Sequence, residues 1–224
     1  MASSCPDLTV IAAAVEGDAR LRAANECLPE ELAKLAVAVK MLAECASGAK
    51  PAKTWIFPVA GVPPSEAIGG GGSGFIKNRG ISCYVTPWAG HPAHDLFVDD
   101  PHYQCRDKSG KPFPALAVED GYVLVAHTGW KPADKTRGGN YVMLYLPGRK
   151  QIAYYAHLDQ VLVKAGDKVA AGQIVGTLGR TGANAVPRRS QTHLHFGLWD
   201  AATFRPVNSL PLLRAARVLD VGMP

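Results

Sequence analysis

Residues 114–126 read PALAVEDGYVLVA, which is two short apolar runs joined by a turn of Glu, Asp and Gly. Runs of similar length follow at 141–145 (YVMLY) and 152–156 (IAYYA), and most of these runs are rich in β-branched or aromatic residues. Glycines punctuate further short runs between 161 and 176. Many short strands separated by turns predict a mainly β fold, either an antiparallel β-sandwich or a small barrel-like domain.

The amino-terminal part has a different pattern. Residues 6 to about 46 predict helix, most clearly at 29–42, where apolar residues recur at helical spacing behind two acidic residues. Proline, glycine and serine then accumulate and end in a glycine-rich run at 69–74. We therefore expect three parts: an N-terminal helical segment at 1–47, a linker or loop at 48–80 and a β domain at 81–224.

Composition and charge narrow the class of protein. The 47% of hydrophobic and 19% of charged residues fit a globular domain, and no apolar run is long enough to span a membrane. The net charge of +5 suits an anionic polymer, but a solvated basic surface is the preferred explanation. The basic residues are scattered and form no stripe with aromatic residues, so we expect no nucleic-acid partner. The densest basic pair, Arg188 and Arg189, is a candidate substrate contact.

Five cysteines contain no C-x-x-C spacing, so a cysteine zinc module is not expected. Cys83 and Cys105 flank the histidine motif described next, and they are the preferred disulfide pair if the protein is exported. An odd total leaves at least one cysteine unpaired. The first four residues lack the basic start and apolar region of a secretory signal, which leaves a cytosolic protein or a mature form as alternatives.

Three histidine patterns are candidate sites. His193 and His195 form H-x-H, and on a strand both rings face one side, although surface or core histidines are the alternative. His91 and Asp95 form H-x-x-x-D, and His157 ends a strand-like run, where a loop histidine is the alternative. A catalytic zinc needs three such ligands and an open fourth position for water. Two remaining histidines would serve proton transfer.

Further short motifs accompany these histidines in a fixed order. They are Gly90-His91-x-x-x-Asp95, Gly110-Lys111-Pro112, Val118-x-x-Gly121-x-Val123, Gly139-Asn140-Tyr141-Val142, Tyr155-Ala156-His157-Leu158, Val163-x-x-Gly166-x-x-Val169-x-x-Gly172-Gln173-x-x-Gly176, Gly179-x-Thr181-Gly182 and His193-Leu194-His195-Phe196. Over about residues 88 to 200 the chain resembles the lysostaphin/LytM-type zinc endopeptidases.

The resemblance implies a Zn²⁺-dependent endopeptidase that hydrolyses peptide bonds of bacterial peptidoglycan, in the stem peptide or the crosslink. By position, His91, Asp95 and His195 would bind the metal, and His157 and His193 would be the catalytic histidines. It also implies a periplasmic, cell-envelope or secreted location. The N-terminal helices lie outside the resemblance and are candidates for packing beside the domain, covering the groove or binding a regulatory partner.

One position departs from the family pattern, since Ala93 stands where a glycine is usual between the histidine and the aspartate. His94 offers a rival register, but Val98 stands four residues later, so we expect His94 to be a neighbour of the site. His102 and His127 have no motif and are assigned to structure.

Three other functions compete with this interpretation. A non-catalytic relative that binds peptidoglycan or activates another hydrolase typically lacks metal ligands, which this chain keeps. A zinc peptidase acting on proteins has the same residues. A lipoyl or biotinyl carrier matches the glycine pattern at 161–176, but no Met-Lys-Met turn is present.

Overall fold

The computed structural model describes residues 29–69, 75, 91–134, 137–183, 185, 186 and 191–222. The helix expected before residue 29, most of the glycine-rich run, Cys83, Arg188 and Arg189 lie outside the described residues. In chain order the described elements are helix α1 (Pro29–Cys45), helix α2 (Pro64–Ala67), strands β1 (Ala93–Phe97), β2 (Pro114–Leu116), β3 (Gly121–His127), β4 (Asn140–Leu146), β5 (Gln151–Val161), β6 (Lys168–Val169), β7 (Ile174–Leu178) and β8 (His193–Asp200), and helix α3 (Leu210–Arg214).

The described strands form one connected sheet in which every named pair is antiparallel. The main order is β1-β8-β5-β4-β3-β6, and β2 joins through β7. Strand β5 is long enough to have two partners on one side, because residues 151–156 pair with β8 and residues 158–161 pair with β7. The predicted mainly β, antiparallel class with an amino-terminal helix is confirmed.

Both faces of the central sheet are covered, which explains why β4 is buried along its whole length. Val142, Leu144 and Leu146 lie in the main core. Tyr141, Met143 and Tyr145 lie in a second core, together with Leu35 and Leu42 of helix α1. The predicted helical stripe at 29–42 therefore packs on this second face. Each large side chain buried in this way contributes roughly 1.5–3 kcal/mol.

The same alternation decides which way the histidines of β8 point. Leu194, Phe196 and Leu198 belong to the main core. His193 and His195 alternate with them and therefore lie on the other face, where Trp199 joins the second core. The candidate site is thus on the sheet face that helix α1 partly covers.

The segment 48–80, expected to be a linker or loop, supplies core residues between 55 and 68. Trp55, Phe57 and Val59 are fully buried in the main core. A partly buried ion pair adds to this attachment, since Arg149 Nε donates to Glu119 Oε2 at 2.7 Å and Trp55 Nε1 donates to the same oxygen at 2.9 Å. Proline and glycine content does not reveal this packing, and the three-part division of the chain stays a prediction.

The expected disulfide between Cys83 and Cys105 is wrong, because Cys105 is a free thiol. A tight turn explains its position: the backbone N–H groups of Gln104 and Cys105 donate to the Asp100 carboxylate at 3.0 and 2.7 Å. The thiol lies beside Thr192 and Asp100, half-buried. Cys45 is disulfide-bonded.

None of the helices in the described part of the chain has the length and apolar character required to cross a membrane.

Candidate metal centre and histidine cluster

Strands β1 and β8 bring three side chains together. Their register places Asp95 opposite His195 and Phe97 opposite His193. Oδ1 of Asp95 lies 2.9 Å from Nδ1 of His195 and 3.2 Å from Nε2 of His91. One ligand atom from each of His91, Asp95 and His195 lies within 4.8 Å of the other two. The structure therefore joins the residues of H-x-x-x-D to the second histidine of H-x-H.

The three side chains are partly exposed. The exposed fraction is 30% for His91, 25% for Asp95 and 22% for His195. Burial alone would raise the pKa of Asp95, but hydrogen bonds from His195 and His91 and the nearby imidazoles hold it well below its usual range. Asp95 is thus a permanent carboxylate with histidine nitrogens around it.

These atoms suit a divalent transition metal. Two imidazole nitrogens and one carboxylate oxygen are an established set for a catalytic zinc. Donor atoms about 2.1 Å from a tetrahedral ion lie roughly 3.4 Å apart. The 3.2 Å between His91 Nε2 and Asp95 Oδ1 and the 2.9 Å between His195 Nδ1 and Asp95 Oδ1 are within about 0.5 Å of that spacing. The donor set and its spacing therefore fit zinc.

His157 lies in strand β5, next to this group. Its ring centroid is 5.6 Å from that of His195 and 5.1 Å from that of His193. Its Nδ1 lies 2.8 Å from the carbonyl oxygen of Thr181. Since a carbonyl only accepts, Nδ1 carries the proton, and Nε2 is the basic nitrogen of the neutral ring. Burial first, and then the neighbouring His195 and His193, lower the pKa of His157 to about 3.

A backbone carbonyl also orients the ring of His193. Its Nδ1 lies 2.8 Å from the carbonyl oxygen of Gln191, and its Nε2 lies 3.7 Å from Oδ1 of Asp95. Burial lowers the pKa of His193, against the opposing effect of Asp95. Both histidines are thus oriented by a backbone carbonyl, with Nδ1 as the donor.

The remaining histidines are outside this group. His94 points to the opposite face of β1, where its Nε2 lies 3.0 Å from Oδ1 of Asn208 and its ring stacks on Phe75. His102 is exposed, and His127 is buried and stacks on Tyr141. Ala93 lies in the regular strand without a positive φ, so its side chain causes no backbone conflict.

Several residues that shape the site were missed. The carbonyl groups of Thr181 and Gln191 orient the two histidines, and backbone groups leave no signature in a sequence. Tyr154 packs edge-on to His195, with 6.0 Å between the ring centroids. The sequence predicts only that Tyr154 lies in a strand. Gly139 has a φ of 66°, and a Cβ there would collide with the backbone of Thr181. The glycines of the quoted motifs were the available signal for this close approach.

Comparisons with known proteins find similarity over part of the chain. Residues 104–209 match the protein family described as Peptidase family M23. The match contains His157, His193 and His195, whereas His91 and Asp95 precede it. The segment 91–95, which precedes the family match, is therefore needed to complete the group of three metal-binding candidates.

Named relatives are similar over part of the chain. The glycyl-glycine endopeptidase ALE-1 of Staphylococcus capitis is 39% identical over 83 residues, which is 37% of this chain and 20% of that protein. The peptidoglycan DD-endopeptidase ShyA of Vibrio cholerae is 40% identical over 97 residues, 43% of this chain and 19% of ShyA. The chain thus spans about a fifth of the length of these curated relatives.

A solved structure is also similar. The catalytic domain of lysostaphin from Staphylococcus simulans matches with 26% identity and a TM-score of 0.43, over 64% of this chain and 90% of that one. The resemblance predicted from the sequence motifs is confirmed: residues 104–209 match peptidase family M23, and the named relatives are similar over part of the chain.

Proposed function

We propose that the protein is a zinc-dependent endopeptidase that hydrolyses peptide bonds of bacterial cell-wall peptidoglycan, with His91, Asp95 and His195 as the metal ligands. The observation that carries the proposal is the convergence of these three donors, although Asp95 and His195 are 100 residues apart in the sequence. Two of them lie outside the family match, so their position is independent support.

A zinc ion bound by these three ligands would supply Lewis-acid chemistry. When bound, zinc polarises a scissile carbonyl and lowers the pKa of a water molecule toward about 7. Asp95 contributes a full negative charge to the ligand set, because its carboxyl stays ionised. The three ligands are partly exposed, as access of water and substrate to the metal requires.

His157 and His193 are assigned to proton transfer. Each ring donates from Nδ1 to a carbonyl, so each presents an Nε2 lone pair when neutral. Such a nitrogen accepts a proton from the attacking water and returns it to the leaving amine. Once protonated, it also donates a hydrogen bond to the oxyanion that develops at the carbonyl. The fixed Nδ1 contacts hold the rings ready for this role.

Peptidoglycan peptides are the proposed substrate. The relative ALE-1 is a glycyl-glycine endopeptidase, and the relative ShyA is a peptidoglycan DD-endopeptidase.

We propose that the protein acts in the periplasm, at the cell envelope or outside the cell. The disulfide at Cys45 supports an oxidising compartment.

We also propose that a regulatory partner binds the N-terminal helices. Val37 of helix α1 is exposed at 57% and would be a contact for that partner.

Digestion of purified sacculi tests the proposal. The zinc-loaded protein is incubated with peptidoglycan and, in parallel, with a panel of unrelated proteins, and the products are identified by mass spectrometry. We expect cleaved stem or bridge peptides that His157→Ala releases at least about 100-fold more slowly. Intact sacculi with full zinc occupancy would favour the non-catalytic binding relative. Cleavage of the protein panel alone would favour a general protein substrate.

A further inference from the structure

Asp100 is a buried carboxylate that the proposed chemistry does not use. It is 6% exposed and lies in the loop after strand β1. Its oxygens accept from the backbone N–H groups of Gln104 and Cys105, and Oδ2 also accepts from Oγ1 of Thr192 at 2.7 Å. The hydrogen bonds lower the pKa of Asp100 against the opposing effect of burial. A desolvated carboxylate is costly unless it has such partners.

Thr192 links this carboxylate to the histidine cluster. It is fully buried and lies between Gln191 and His193. Its backbone carbonyl accepts from the N–H of Val98 at 3.1 Å, while its hydroxyl donates to Asp100. Thr192 is thus held at both its main chain and its side chain. These bonds fix the segment 191–193, which contains the His193 ring and the Gln191 carbonyl to which that ring donates.

Arg180 extends the network toward the second histidine. Its Nη1 donates to Oγ1 of Thr192 at 3.4 Å, and its guanidinium lies 4.7 Å from the ring centre of Tyr103. Arg180 immediately precedes Thr181, whose carbonyl accepts from Nδ1 of His157. One chain of contacts, from Arg180 through Thr192 to Asp100, therefore joins the two segments that carry the histidine-orienting carbonyls.

We infer that Asp100 and Thr192 are positioning residues for His193, and that the hydroxyl of Thr192 is the group that transmits this effect. The expected effect on the rate of hydrolysis rests on the proposed function. The structural role does not: the Asp100–Thr192 bond keeps the Gln191 carbonyl in place to accept the hydrogen bond from His193 Nδ1. Groups that orient a catalytic or ligating side chain typically change rates or affinities by 10- to 100-fold when lost.

Two substitutions at Thr192 test the inference with little change of shape. Thr192→Val removes the hydroxyl, and Thr192→Ser keeps it. Thr203→Val is a matched control, because Thr203 Oγ1 also donates to an aspartate, Oδ1 of Asp200, at 2.7 Å but at the far end of β8. With a soluble peptidoglycan peptide, we expect Thr192→Val to lower kcat about 10-fold or more with little change in KM. Thr192→Ser and Thr203→Val should stay near the parent.

A measurement without substrate separates this inference from the proposed function. Nitrogen NMR of the histidine rings of the full chain reports which ring nitrogen of His193 carries the proton. We expect Nδ1–H in the parent, Thr192→Ser and Thr203→Val proteins, and a mixture of the two neutral tautomers in Thr192→Val. If the parent hydrolyses nothing, the proposed function fails while this comparison still decides the positioning role. An unchanged tautomer in Thr192→Val, or equal kinetic losses in Thr192→Ser and Thr192→Val, would overturn it.

Discussion

Nδ1 of His157 lies 2.8 Å from the carbonyl oxygen of Thr181, and this contact is made from a backbone with a φ of 64°. A side chain in the left-handed region costs roughly 1–2 kcal/mol. The N–H of His157 donates to the carbonyl of Gly138 at 2.8 Å, so main chain and ring are both anchored. The fold therefore holds this histidine in an unfavourable conformation at the site, as is common where function requires it.

This strain predicts a difference between two substitutions that both remove the ring. Glycine adopts a positive φ without the steric cost that alanine retains. We expect the free energy of unfolding of His157→Gly to exceed that of His157→Ala by about 1 kcal/mol. Denaturant titrations followed by circular dichroism measure this difference. A more stable alanine variant would mean that the left-handed backbone at residue 157 is absent.

Loss of the His157 ring should affect turnover more than metal content. We expect His157→Ala to keep its zinc and to slow peptide hydrolysis by about 100-fold or more, the range for lost acid–base or oxyanion assistance. His102→Ala, which changes an exposed histidine, is the control and should match the parent. Near-normal rates in His157→Ala would remove this residue from the mechanism.

The ion pair between Glu119 and Arg149 is predicted to hold the segment before β1 onto the sheet. Glu119 also accepts from the N–H of Ala52 and from Trp55 Nε1. Glu119→Gln leaves the half-buried Arg149 side chain without its charged partner, so we expect a loss of about 2 kcal/mol in the free energy of unfolding. Glu66→Gln, which changes an exposed side chain of helix α2, is the control, with a change within about 0.5 kcal/mol. Equal stabilities would contradict a structural role for the pair.

The thiol of Cys105 should react slowly. Burial first, then the carboxylates of Asp100 and Asp159, raise its pKa to about 11 from 9.0. The folded thiol therefore holds its proton across neutral pH, and the stability linked to that proton is complete below pH 9 and is lost as pH rises through about 11. At pH 8 we expect iodoacetamide to label Cys105 about 100-fold more slowly in the folded than in the unfolded chain.

Peptide mass spectrometry follows this labelling at Cys105 itself, so that other cysteines do not contribute. The rate in the folded chain should increase with pH up to about 11. Equal labelling of folded and unfolded chains at pH 8, or recovery of Cys105 in a disulfide, would contradict the structure.

The sequence predicted those parts of the fold and site that have a periodic or local signature. Strand-length runs at 122–126, 141–145 and 152–156 are strands, and their continuous apolar character fits a sheet that is covered on both faces. The H-x-H spacing predicted that His193 and His195 share one face, because side chains alternate along a strand. The even spacing of His91 and Asp95 brought the two side chains within 3.2 Å. The metal role of these residues stays a prediction.

Other features depend on the tertiary fold and have no local signature. Trp55 and Phe57 are core residues only because a sheet whose first strand begins at residue 93 covers them. The carbonyl groups of Thr181 and Gln191 orient histidines through their backbone positions, which any residue type could supply. The contact between Asp100 and Thr192 joins residues 92 positions apart, and neither belongs to a recognisable motif.

The zinc content of the purified protein tests the account most directly. Parent protein, His195→Ala and the His102→Ala control are dialysed against the same buffer with trace zinc, and bound metal is measured by inductively coupled plasma mass spectrometry. We predict about one zinc per chain in the parent and in His102→Ala, and at least about 10-fold less in His195→Ala, since a ligand of the metal has been removed. Full zinc occupancy in His195→Ala, or no zinc in the parent, would contradict the metal centre proposed at His91, Asp95 and His195.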